Sequence, residues 1–303
     1  MSVRIEVVGP DGLRPYLADL RRLEAAIKYP IGDGSDHFTI DHGDTYDAFF
    51  SGLGAAMFMI AVDGDELVGV FAGIERTARC DGATVKTVYG ADFKLAERVR
   101  GGSLSRRMIW KGFLMGMSPQ FLRRWRVAYV TAMRGAHGDV MRSVRGFHAA
   151  RLARPGARLA VYFVEPERLA ALRVDGAPPP PPPPGMDLSP DPASRPPGLA
   201  STAGRKDLRL QSTGAPWPLA HLPLGPSSWT PSHAAYLQRA GAALVAEKLP
   251  GPACFALDER LADHIGWLAA AGIRPGAVCT IYTFGLPGAP KPSPWVHLAT
   301  SEI

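Results

Sequence analysis

The stretch Arg100-Gly101-Gly102-Ser103-Leu104-Ser105-Arg106 joins a strand-like run, TVYGADFKLA, to a helix-like run that begins at about Leu104 and continues through SRRMIWKGFLMG. A strand, a Gly-rich turn and a helix N-terminus make an anion site. Several backbone N–H groups point at one spot, and the helix dipole favours negative charge there. The ligand to expect is a phosphate or pyrophosphate. Two carboxylates stand upstream in sequence: Glu75 ends one strand-like run and Asp92 opens the next. Either could exchange protons in a cleft beside the anion site, or be an ordinary surface charge.

The surrounding elements must position these groups. Met57 to Val62 and Leu67 to Ile74 are apolar runs joined by Asp63-Gly64-Asp65-Glu66, a strong hairpin signal. Upstream come a strand-like Val3 to Val8 and two helix-like stretches, Leu13 to Tyr29 and Asp44 to Leu53. Downstream of the Gly-rich turn and its helix lie a strand (Val127 to Met133), a helix (Asp139 to Arg151) and a strand (Arg158 to Val164). No Gly-Lys-Ser/Thr follows the glycines, so this is not a nucleotide P-loop. The glycine spacing also departs from the dinucleotide fingerprint, and no acidic residue closes a following strand.

Loop and element order together resemble the GNAT acyltransferase superfamily across residues 1–170. Its acyl-CoA pyrophosphate loop reads Arg/Gln-x-x-Gly-x-Gly/Ala, after a strand and before a helix. Arg100 takes the first position, Ser103 the first Gly position and Ser105 the Gly/Ala position. Two required small residues are thus serines, which still leave the backbone N–H free, while Gly101 and Gly102 keep the turn permissive. The resemblance implies an α/β fold built on a mixed sheet. It also implies a cosubstrate, acetyl-CoA or another acyl-CoA, and transfer of the acyl group, acetyl by expectation, to a primary amine of a small molecule or peptide.

In that family the amine attacks the thioester directly, and a backbone N–H on the strand before the loop stabilises the oxyanion. The matching residues here are Phe93, Lys94 and Leu95, with 100–106 holding the pyrophosphate. The family's usual acid is a tyrosine on the helix after the fifth strand. That helix reads GDVMRSVRGFHAARL, without tyrosine, and His148 is the nearest titratable replacement. Glu75, Asp92 and His148 are therefore the catalytic candidates, with Tyr162, His233, Tyr236 and Tyr282 as other sources of an acid. A non-catalytic acyl-CoA-binding or regulatory protein on the same fold is the alternative, and the resemblance leaves room for a homodimer.

Composition narrows the remaining classes. The chain has 303 residues, 46% of them hydrophobic, and a net charge of +6. Its basic residues are spread along the chain without a regular aromatic interleave. That argues against nucleic acid, and a phosphate-rich ligand explains the cluster Arg98, Arg100, Arg106, Arg107, Lys111 more economically. No apolar run approaches the ~20 residues needed to cross a bilayer, and the first dozen residues do not read as a signal peptide. Cys80, Cys254 and Cys279 form no metal-binding spacing. A cytoplasmic protein without metal or membrane association is expected. Asp36-His37 and Asp41-His42 suggest metal ligands at first sight, but no third partner is evident, and capping and loop solvation are the reading preferred. In the family this segment lies over the acceptor site.

Seven consecutive prolines, Pro178 to Pro184, mark a linker over 175–200, expected to be an extended spacer and then flexible coil. They separate a GNAT-like domain (1–174) from a second α/β module (201–303). In the latter, Trp217 to Leu224, Ala253 to Leu257 and Val278 to Leu286 read as strands. Ser232 to Lys248, capped by Thr230-Pro231, and Leu261 to Ala271, capped by Asp258, read as helices. This half resembles a degenerate GNAT module lacking the Gly-rich loop. The alternative is that it completes one sheet with the first half.

Overall fold

Fifteen-residue and thirteen-residue strands around a two-residue Asp81-Gly82 turn form the longest hairpin of the molecule. The computed structural model describes residues 3–31, 36–116, 118, 125, 127–133, 154–190, 202–225, 232–285 and 295–303. Strand β1 (Arg4–Val8) runs through a 3-10 segment, Pro10–Tyr16, into helix α1 (Leu17–Ala25). One helix was expected over Leu13 to Tyr29. Pro15 has no N–H to give an α-helical turn, and Tyr29 already belongs to strand β2 (Tyr29–Ile31). Strand β3 (Asp36–Asp41), helix α2 (Ala48–Ser51), and strands β4 (Ala55–Asp63), β5 (Glu66–Cys80) and β6 (Ala83–Leu95) follow. The segment Asp36–Asp41, expected to be capping loop, is a strand.

Helix α3 (Leu104–Gly116), strands β7 (Val127–Met133) and β8 (Arg154–Val164), and helix α4 (Pro166–Ala170) complete the first half. The helix expected at Asp139 to Arg151 lies outside the described residues. Beyond come β9 (Met186–Asp187), β10 (Asp207–Leu210), β11 (Ala220–His221), α5 (His233–Glu247), β12 (Ala253–Asp258), α6 (Ala262–Ala270), β13 (Ala277–Gly285) and β14 (Val296–His297). Helix α5 is capped by Ser232, whose hydroxyl accepts from the Ala235 N–H. Asp258 does not cap α6: it accepts from Val296 N–H and pairs with Arg260.

One mixed sheet runs β1-β4-β5-β6-β7-β13-β8-β12-β11. Only β6/β7 and β11/β12 are parallel along this path, and each pair flanks one helix, α3 or α5. Strand β13, from the second half, inserts between β7 and β8, while β8, from the first half, lies between β13 and β12. The two halves thus complete each other's sheet, the alternative left open by the sequence.

The proline-rich stretch also differs from a plain spacer. Pro178 to Pro184 carry neither helix nor strand, but Met186 and Asp187 pair with Cys80 and Arg79 of β5 and with β14, and residues 184–189 are buried. Proline cannot donate to a ladder, so pairing begins once the prolines end. A smaller sheet, β10-β3-β2, ties the second half to residues 29–31 and 36–41 of the first.

Burial divides by face. Leu20, Leu23, Phe49 and Phe50 from α1 and α2 pack with Phe58, Ile60, Val70 and Ala72 on one face of the sheet. Leu104 and Met108 of α3 pack with Met59, Ala61 and Val68 on the other. That alternation is what a two-residue strand period requires when both faces are covered. Around β12, Tyr162 stacks on Phe255 within a further core. Helices α4 and α5 touch backbone to backbone: a Cβ on Gly241 would stand 2.5 Å from the Ala170 nitrogen. Among the described residues no helix is long and apolar enough to cross a membrane.

Candidate functional site

Strands β6 and β7 pair only from Thr87↔Val127 to Gly90↔Val130. Beyond Gly90, strand β6 continues to Leu95 with no strand on its β7 side among the described residues, and β7 continues against β13 alone. The two strands splay. A cavity of about 950 Å³ occupies the gap. Ile109, Gly112 and Phe113 of α3 line it from one face of the sheet, Phe49 and Phe50 of α2 from the other, with Ala91, Phe93, Thr131 and Met133 between.

Strand β6 is bulged where the gap opens. Val70 pairs with Lys94 and Ala72 with Ala91, so Asp92 and Phe93 together oppose Phe71. Asp92 takes φ +55°, a left-handed conformation that few side chains tolerate outside Asn and Asp. A bulge of this kind frees backbone groups from the ladder and re-aims side chains beside a site.

The re-aimed side chains form a buried charge cluster. Lys94 Nζ lies 2.7 Å and 2.9 Å from the two Asp92 oxygens and 3.4 Å from Glu24 Oε1. The Tyr46 hydroxyl donates to Asp92, and His42 Nδ1 bonds Glu24. Burial pushes the Asp92 carboxyl up, but Lys94, His42 and Tyr46 outweigh it and hold it at about 2. Burial alone would lower the Lys94 ammonium, yet Asp92, Tyr29 and Glu24 raise it above its ordinary range. Glu24, His42 and Asp92 place ligand atoms within 4.8 Å of one another, a spacing suited to a metal ion. Lys94 supplies positive charge within that same group.

The sequence had singled out Asp92 and Lys94, and had weighed His42 as a metal ligand and set it aside for want of a third partner, but it had not pointed to Glu24 or Tyr46. Glu24 carried one usable signal: with Leu20 and Leu23 it falls on the inward stripe of α1, an unusual place for a carboxylate. Tyr46 carried none, and the partners that His42 lacked in sequence, Glu24 and Asp92, come from other elements.

The Gly-rich turn is exposed from Gly101 to Ser103, and α3 begins at Leu104. Gly101 takes φ +75°, the conformation glycine permits there. Arg100 Nε donates to the Leu95 carbonyl 2.9 Å away, closing the turn on the end of β6. Leu104 is buried, Ser105 partly so and Arg106 exposed. The rest of the basic cluster is engaged otherwise: Arg98 pairs with Asp63 and Glu66, while Arg107 and Lys111 donate to the Val3 and Ile5 carbonyls.

Glu75 lies in the cavity wall, half-buried, with no ion pair or hydrogen bond among the described residues. His148 lies outside the described residues. Tyr162 and His233 are buried away from the cavity, in the core around β12 and α5. Tyr29 and His221 reach the cavity wall. Burial raises the Tyr29 hydroxyl to about 12 and lowers the His221 imidazole to about 3. All three cysteines are free and buried, and burial raises their thiols to about 11 for Cys80 and about 12 for Cys254 and Cys279.

No protein-family model matches the sequence, and no curated protein is similar to it in sequence. Solved structures are similar in fold. A tandem GNAT protein from the clavulanic acid biosynthesis pathway matches with a TM-score of 0.52 at 12% identity, covering 93% of this chain and 98% of its own. Saccharomyces cerevisiae N-myristoyltransferase with bound myristoyl-CoA matches with a TM-score of 0.53 at 12% identity, covering 94% of this chain and 79% of its own. The chain has the GNAT acyltransferase fold, with two GNAT-like halves.

Proposed function

We propose that this protein is an N-acyltransferase that moves an acyl group from acyl-CoA to a primary amine by direct attack. The observation that carries this reading is the splay between β6 and β7, with the Gly-rich turn at one end and a large apolar cavity running through it. The turn and the N-terminus of α3 offer Gly101–Arg106 to the pyrophosphate. The open β7-facing edge of Phe93–Leu95 offers backbone groups to the thioester. The similar solved structures include one that holds myristoyl-CoA, which supports a cosubstrate of this kind.

The acceptor nitrogen attacks the thioester carbonyl as the free amine. The C–N bond forms, the C–S bond breaks, the nitrogen gives up a proton and CoA leaves as the thiolate. Glu75 is a cavity carboxylate with no partner among the described residues, so it is assigned the role of proton acceptor. Asp92 is assigned a different role. A carboxylate held at about 2 by Lys94 and Tyr46 is a poor base but a firm anchor for the bulge.

The first 174 residues carry the donor loop, and 201–303 close the acceptor side through β10 and complete the sheet through β13. An acetyl group was the sequence expectation. A cavity of about 950 Å³ is at the upper end of small-molecule sites, so the reading extends to longer acyl chains. Calorimetric titration of wild type with acyl-CoAs of increasing length tests this. Each methylene that enters the cavity is expected to tighten binding about fourfold, from about 0.8 kcal/mol per buried CH₂. Affinity independent of chain length would show that the cavity does not receive the acyl chain.

A further inference from the structure

Lys206 belongs to the second half, one residue before β10, and lines a cavity whose wall is built from both halves. Its ammonium sits 4.7 Å from the centroid of the Phe49 ring. Among the described residues no carboxylate lies within ion-pair distance of it. The nearby carboxylates are already engaged: Asp92 by Lys94 and Tyr46, Glu24 by His42 and Lys94. Burial drives the Lys206 ammonium down to about 8, with the pull of Asp92 only partly opposing it. A cation in an apolar wall, packed on an aromatic ring and with no carboxylate of the described residues in ion-pair reach, is poorly compensated until an anion reaches it.

A second charge in the same wall is also without a partner among the described residues: the Glu75 carboxylate. Lys28 contributes to the wall as well but is exposed, so solvent screens it. Among the described side chains of the wall, Glu75 is an unengaged anion and Lys206 an unengaged, partly buried cation. That pair of charges matches a substrate that carries both an amine and a carboxylate.

We propose that Lys206 anchors a carboxylate of the acceptor, so that the acceptor is an amino acid or a similar amino carboxylate and the product an N-acyl amino acid. This rests on the acyl-transfer reading above. It adds an acceptor class and a role for the second half, which delivers the anchoring residue across the sheet of the first. The bound product would lay its acyl chain in the apolar part of the cavity and its carboxylate on the Lys206 ammonium.

The test uses N-dodecanoylglycine and its methyl ester as product-like probes, titrated calorimetrically into the full-length protein. The ester reports on the acyl chain, and the ratio of the two affinities reports on Lys206. Wild type is expected to bind the acid roughly 10–100-fold more tightly than the ester, the range of a hydrogen bond to a charged group. Lys206→Met is expected to bring that ratio near one while leaving ester affinity unchanged. Lys206→Arg, which keeps the charge, is expected to retain most of the ratio; its loss in the arginine variant would overturn an anchor held by charge at this position. Equal binding of acid and ester by wild type would overturn the anchor while leaving the acyl cavity intact. Failure of the acid and the ester together would overturn the anchor and place the fault in the cavity reading.

Discussion

Lys94→Met lowers the melting temperature by roughly 10 °C at neutral pH. The substitution removes the only cation that an ion pair gives Asp92 among the described residues, and it leaves Asp92 and Glu24 buried together. Breaking a buried pair by removing one partner costs about 3–5 kcal/mol, and each kcal/mol shifts the transition of a chain of this class by about 2–4 °C. The pH dependence has a definite sign. Asp92 is held at about 2 in the folded protein, below its unfolded value of about 3.9. Its contribution is therefore complete above about pH 4 and is lost as pH falls toward 2. In Lys94→Met, burial acts on Asp92 without the lysine, and part of that acid sensitivity disappears. Thermal melts at pH 7, above that window, and at about pH 2.5, deep within it, check this. Adding Asp92→Asn to Lys94→Met should recover much of the loss, because an amide is cheaper to bury than an unpaired charge. A single variant as stable as wild type, or a double variant no better than the single, would contradict the role given to this cluster.

Arg100→Glu with Ser103→Asp is expected to weaken acyl-CoA binding by about 100-fold or more. Two charge-assisted contacts at about 1.5–3 kcal/mol each give at least that factor, and carboxylates at the N-terminus of α3 would also repel the pyrophosphate. The turn is exposed from Gly101 to Ser103, so the changes add no buried charge. The hydrogen bond from Arg100 to the Leu95 carbonyl is lost, which costs about 1 kcal/mol of stability. Arg107→Glu and Lys111→Glu provide the contrast. Their side chains hold the carbonyls of β1, so they should disturb the packing of α3 on that strand more than the anion site. A loss of less than threefold in the double variant would remove the loop from the donor site.

How much of this was legible in the chain depended on distance along it. The hairpin around Asp63-Gly64 and the turn at 100–103 are local, and their residue types specify them directly. The missed strand Asp36–Asp41 carries half-buried polar residues, and one of its two partners, β10, comes about 170 residues later. No short window contains the apolar cover that makes it a strand. The same holds for the candidate site. Glu75 and Asp92 were visible as carboxylates on strands, but the environment that separates them was not. Asp92 is held by Lys94, Tyr46 and the bulge, whereas Glu75 stands in the cavity without a partner among the described residues. The exchange of β13 and β8 between halves was open in the sequence, because strand order within a sheet is set by long-range pairing that local pattern does not encode.

Mass spectrometry of an acyl-CoA incubated with a panel of amines and amino acids is the most direct test of acyl transfer. Wild type should yield the amide together with one free CoA thiol per amide. The Arg100→Glu, Ser103→Asp variant should yield neither above the uncatalysed rate. Tight acyl-CoA binding by wild type with no amide from any acceptor in the panel would contradict acyl transfer and identify a binding protein built on an acyltransferase fold.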